Sequence, residues 1–144
     1  MSSIAVEIST EASPWAVWDA IRDIGALHTR LVPGFVVATE LVPGGRRVTF
    51  ANGMVVVEPV VSVNEELHRL VWTTQSSGLI HYNSAVQVYP REPGGSRVVW
   101  MTDVLPDDAA SRIGAMMRHG AIAMSSAFTR LANEGATQTS TPRD

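Results

Sequence analysis

Residues 106–132 read PDDAASRIGAMMRHGAIAMSSAFTRLA, and this stretch decides the fold. Pro106, Asp107 and Asp108 form a helix start, with the acidic side chains where a helix dipole favours negative charge. Beyond them Ile113, Met116, Met117, Gly120, Met124, Phe128 and Leu131 fall on one stripe at helical spacing. The spacing predicts a long helix from about residue 107 to 133 with a single buried face. That face needs a partner of comparable length. Past Gly135 the residues are small and polar, which predicts a disordered tail over 135–144 behind a single domain over 1–134.

The partner lies upstream. Segments 35–42, 46–51, 54–63, 67–75, 80–89 and 97–105 read as strands, separated by turn residues such as Pro43-Gly44-Gly45 and Asn52-Gly53. Ile4-Ala5-Val6-Glu7-Ile8 alternates apolar and polar residues and makes a seventh. After it, Ser13 and Pro14 open a short amphipathic helix carrying Val17, Trp18 and Ile21, and residues 26–31 add another turn. Strands that follow one another closely pair antiparallel, and their apolar face must be covered. The pattern predicts an α+β domain in which an antiparallel sheet packs on the terminal helix.

Composition narrows the chemistry. With 144 residues the chain is long enough to bury a core, and a net charge of -3 gives no general attraction to nucleic acid or anionic membranes. Neither a membrane-length apolar run nor a signal-peptide pattern is present, so a cytoplasmic location and no membrane insertion are expected. There is no cysteine, which excludes thiolate nucleophiles, disulfides and thiolate zinc sites. Every basic side chain is arginine, which excludes lysine Schiff bases. The histidines at 28, 68, 81 and 119 are scattered and show no metal-ligand spacing; neither a metal nor a cofactor is expected.

Several local motifs appear in a familiar order. Ala12-Ser13-Pro14-Trp15 through Asp23, Gly45-Arg46-Arg47 with Gly53 and Glu58, His81-Tyr82-Asn83-Ser84, and Gly94-Gly95-Ser96-Arg97 through Trp100 span nearly the whole chain. Their order resembles the superfamily that includes polyketide cyclases/dehydrases, START lipid-transfer domains, Bet v 1-like proteins and plant abscisic-acid receptors. The resemblance implies a helix-grip fold, in which a curved seven-stranded sheet wraps the long C-terminal helix around a cavity for a small hydrophobic ligand. It also implies that Glu58 faces this cavity. The chain lacks the lysine with which the hormone receptors grip a carboxylate.

Candidate site residues follow from parity. A two-residue Asn52-Gly53 loop sets Arg47 opposite Glu58, close enough to orient the carboxylate. Apolar parity argues the other way, burying Val48, Phe50, Val55 and Val57 and leaving the pair outside. With the pair inside, that apolar face requires a cover, such as a second copy of the chain. On the sixth strand Tyr82 and Ser84 share the inward face with Val86 and Val88, and Trp72 and Trp100 extend the same wall. Met116, Met117 and Met124 supply an adaptable helix wall. Gly120 on the same stripe leaves room for ligand or permits close approach of the sheet. His68, near a turn, is expected in solvent.

Three functions fit. In the first, a cofactor-independent cyclase or dehydratase, a pocket of roughly 300–1,000 Å³ holds a poly-keto or aromatic precursor while Glu58 or Tyr82 moves a proton. The second is a non-catalytic carrier or sensor using the same cavity. The third is an interaction module that works through the Val48/Phe50/Val55/Val57 face.

Overall fold

Strand β1 (Ser2–Thr10) is followed by Ser13, whose hydroxyl accepts from the Ala16 amide at 3.2 Å and caps helix α1 (Pro14–Arg22). The computed structural model describes the backbone of residues 1–140 and the side chains of residues 1–135. A 3₁₀ turn (Ile24–Ala26) and a π turn (Leu27–Leu31) follow α1. Then come β2 (Val36–Val42), β3 (Gly45–Phe50), β4 (Val55–Asn64), β5 (Arg69–Thr73), β6 (His81–Pro90) and β7 (Ser96–Leu105). Helix α2 (Ala110–Ser140) closes the described chain. It runs past the Gly135 boundary expected from sequence; residues 141–144 of the expected tail lie outside the described residues.

The strands form one antiparallel sheet in the order β1-β7-β6-β5-β4-β3-β2. Register breaks between Val36 and Ala38 and between Val60 and Ser62 bend it. The concave face receives α2 through Ile113, Met117, Met124 and Phe128, all buried, as the apolar stripe predicts. Helix α1 adds Val17, Trp18 and Ile21 to the same core.

Polar ties hold α1 and the two turns across one end. Trp18 Nε1 and Arg22 Nε donate to the two carboxylate oxygens of Glu65, at 2.7 and 2.9 Å. His68, expected in solvent, instead stacks on Trp18 with ring centroids 5.4 Å apart, because its positive φ of 52° turns the side chain back onto α1. Arg30 bridges Asp19 and Asp23, each at 2.9 Å, and fastens the π turn to α1.

The β3–β4 hairpin departs from the sequence reading by one residue. Phe50 pairs with Met54 through an N–H···O bond of 2.9 Å, so the loop is the three residues Ala51-Asn52-Gly53. Gly53 takes φ +91°, the left-handed conformation that closes a type I turn in such loops. A one-residue change of register reverses which faces meet. Arg46, not Arg47, therefore opposes Glu58, and Arg47 opposes Val57. The same shift divides the expected apolar face. Val48 and Phe50 are buried, whereas Val55 and Val57 lie exposed on the outer side.

Gly53→Ala should therefore cost about 1–2 kcal/mol, since an L side chain resists this conformation, and Gly53→Asn should cost less. Urea denaturation midpoints of both variants check this.

Candidate functional site

Arg46 and Glu58 reach the interior because β3 and β4 each turn alternate residues toward α2. Gly45 lets the strands approach closely; a Cβ there would run into the Glu58 carbonyl and lie 2.8 Å from Pro59 Cα. The Arg46 Nε donates to Glu58 Oε1 at 2.8 Å, and Nη1 reaches the Ile24 carbonyl at 3.4 Å. The guanidinium carbon lies 5.4 Å from the centre of the Trp72 ring. Arg46 is 2% and Glu58 7% exposed, so this pair is removed from water. An ion pair so placed is stable only when both partners remain.

The pair lines an otherwise apolar cavity between the sheet, α2 and the turns after α1. Trp72, Tyr82 and Trp100 form its sheet wall, Met116 and Met124 its helix wall, and Leu27, Leu31 and Phe35 its roof. Its volume is about 50 Å³, well below the expected pocket size. Two further spaces adjoin it. One, of about 30 Å³, shares Glu58 and Tyr82 and extends to Thr74 and Arg112. The other, of about 210 Å³, opens between Phe35, Asn52 and His119. Phe50 and Met116 border all three spaces, so these two side chains divide the interior.

The expected residues separate into three groups. Glu58, Tyr82, Trp72, Trp100, Met116 and Met124 come together around the cavity. Ser84 is inward and buried, but its hydroxyl pairs with that of Thr102 at 2.7 Å behind the wall; Met117 is buried in the core. Gly120 serves close approach: a Cβ there would meet the Trp100 ring at 3.0 Å and Phe35 at 3.2 Å. Arg47 leaves the site altogether. It is exposed and bonded to Glu40 at 3.0 Å, because the hairpin register turns it to the outer face.

Arg46 is the cavity-lining residue that sequence reasoning missed. The signal was present in β3 itself, where Arg46 shares parity with Val48 and Phe50. Assigning the inward face from those two apolar residues, rather than from loop length, brings Arg46 inside. Phe35 and the 27–32 segment carried no such signal, since their contribution depends on how the turns fold over the sheet.

Burial raises the pKa of the Tyr82 hydroxyl above its ordinary 10.0, and the Glu58 charge acts in the same direction, against hydrogen bonding with Ser84 and Thr102. Tyr82 is therefore a neutral phenol at physiological pH, able to donate a hydrogen bond. Among the described residues no cluster of three or more His, Asp or Glu could hold a metal ion, and no helix is long and apolar enough to cross a membrane.

The family model described as "Polyketide cyclase / dehydrase and lipid transport" matches residues 1–134. No curated protein sequence matches the chain. Solved structures of similar fold include the protein XoxI from Bacillus cereus, with TM-score 0.79 and 19% identity over 89% of this chain and 96% of that one. A norcoclaurine synthase point mutant from Thalictrum flavum, in complex with a transition-state analogue, has TM-score 0.71 and 20% identity over 94% and 96%. A START superfamily protein from Mycobacterium smegmatis has TM-score 0.69 and 15% identity over 88% and 95%. At these identities the likeness is one of fold.

Two expectations follow. Arg46→Met leaves Glu58 buried and unpaired and should cost about 3 kcal/mol, whereas Arg47→Ala on the surface should cost under about 1 kcal/mol. Comparative urea denaturation distinguishes them. Tyr82 should ionise above the ordinary tyrosine value of 10.0 in an alkaline absorbance titration. The unfolded chain ionises this tyrosine first, so its contribution to stability is full below pH 10.0 and declines as pH rises through the higher folded pKa. Tyr82→Phe should remove both effects.

Proposed function

Because the chain belongs to the polyketide cyclase / dehydrase and lipid transport family, we propose that it binds a small apolar molecule between sheet and helix. The observation that carries this reading is the buried Arg46–Glu58 pair set in an otherwise apolar cavity wall. A few polar groups in apolar surroundings orient a ligand without dominating its affinity. The three adjoining spaces support a ligand larger than any one of them, admitted when the Phe50 and Met116 side chains turn aside. Methionine is unbranched and turns readily.

A second reading, proton-transfer catalysis, is favoured by the contrast between Glu58 and Tyr82. One is a carboxylate and the other a phenol held neutral by burial, and both border the same two spaces. In a dehydration the carboxylate would take a proton from carbon. The phenol would protonate the departing hydroxyl, which leaves as water while the double bond forms. Such chemistry needs no cofactor. Without turnover, the same groups serve a carrier by anchoring the ligand.

Titration with a fluorescent naphthalene probe tests the binding reading. Met116 is partly exposed, so Met116→Trp should be tolerated, block the junction of the three spaces, and weaken probe binding about tenfold. Unchanged affinity in a folded Met116→Trp variant would defeat the cavity assignment. Once a ligand is identified by native mass spectrometry of the purified protein, Glu58→Gln separates the two roles. Lost turnover with retained binding marks a base, and equal loss of both marks an anchor.

A further inference from the structure

The core lies on the concave side of the sheet, and the strand residues that alternate with it face outward. Across β1, β7, β6 and β5 the pairing is uninterrupted, so the outward residues stand in straight rows. Ala5, Met101, Ala85 and Val71 are side by side in the central row, with no polar side chain between them. Met101 is 46% exposed, and Val61, at the register break of β4 beside this row, is 60% exposed. The two alanines keep the middle of the row low, which lets a second surface approach closely.

The charges around this row complement one another at a distance. Glu7 and Arg97 are already paired at 2.7 Å, and Arg97 also lies over the Tyr89 ring. Arg69 has no ion pair among the described residues, and the Asp103 carboxylate accepts from the Ser3 hydroxyl without a cation beside it. Arg69 on β5 stands next to Gln87, and Asp103 on β7 next to Asn83. Gln87 and Asn83 lie two residues to either side of Ala85, so Arg69 and Asp103 occupy opposite corners of the face. Ordinary strand spacings put these corners about 17 Å apart, too far to pair within one chain. A two-fold axis in the plane of the face, running across Ala85, exchanges them. Arg69 of each copy then meets Asp103 of the other. The strands of the two copies cross steeply, as in orthogonal sheet packing.

The face as a whole is neutral, so it has no charge with which to attract nucleic acid or an anionic membrane. Its size also suits a second copy. A standard interface takes about 800 Å² per partner, roughly a tenth of the 7935 Å² surface of this chain. Together with β4 the four strands span about 24 Å in each direction, an area of that order.

We propose that the outer face of β1, β7, β6 and β5 is an interface between two copies of the chain. Reciprocal Arg69–Asp103 ion pairs join them around the apolar row that includes Met101 and Ala85. The cavity lies on the other side of the sheet, so both copies keep it free.

Sedimentation velocity on the full chain tests this at about 100 µM, a concentration at which a micromolar dimer is the dominant species. The wild type should sediment at twice the chain mass. Ala85→Arg sets like charges against each other at the axis and should raise the dissociation constant at least about tenfold. Arg69→Asp and Asp103→Arg should each do the same. An equimolar mixture of those two variants should recover the dimer, since each supplies the charge that the other lacks. A monomeric wild type would overturn the proposal and leave the face to a different partner. A dimer indifferent to Ala85→Arg and to both charge reversals would overturn it as well, by placing the contact elsewhere. Monomeric charge variants whose mixture stays monomeric would overturn the reciprocal pairing. Circular dichroism checks the fold of each variant, and if a charge variant does not fold, the wild type and Ala85→Arg still decide.

Discussion

Arg46 and Glu58 stand 2.8 Å apart with almost no access to solvent, and the arrangement of the interior follows from keeping them together. Two opposite charges can leave water only as a pair with good geometry. Here that geometry comes from direct opposition on β3 and β4, which requires the three-residue turn at Ala51-Asn52-Gly53. The same turn places Val48 and Phe50 inside, so the polar pair and the apolar core demand one register. A slip by a single residue would expose both valine and phenylalanine and leave Glu58 facing the wrong neighbour.

Around that pair the cavity is built from elements distant in sequence. The sheet supplies aromatic rings, α2 supplies methionines, and the turns after α1 supply a roof fastened by Arg30 to Asp19 and Asp23. The methionine wall can rearrange, whereas the tryptophan wall cannot without losing the close packing of Trp100 against Gly120. Both activities named for the family, cyclisation or dehydration and lipid transport, are compatible with such a division.

Tyr82 shows how burial assigns a chemical role. Its backbone position follows from the alternation of β6, but its neutrality follows from desolvation and from the nearby Glu58 charge. Neither cause belongs to β6 alone. Ser84, two residues on and on the same face, has its hydroxyl engaged by Thr102 of β7. Equal parity therefore yielded one group on the cavity and one in the wall behind it.

How much was legible depends on the range of the interaction concerned. The long helix, the strands and the Ser13 cap are readable because period, turn residues and capping act within a few positions. Inward parity on β6, and on β3 through Val48 and Phe50, is equally local. The register of the β3–β4 hairpin is not, because Asn52-Gly53 accommodates a loop of two residues or of three. Burial of Val48 and Phe50 and the pairing of Arg46 with Glu58 select the longer loop. Gly120 likewise fits either open space or close approach until Trp100 and Phe35 are seen against it. By itself the sequence determined the elements and which residues share a face. Tertiary structure alone decided which faces meet, because that choice minimises a sum of burial and charge terms over partners far apart in the chain.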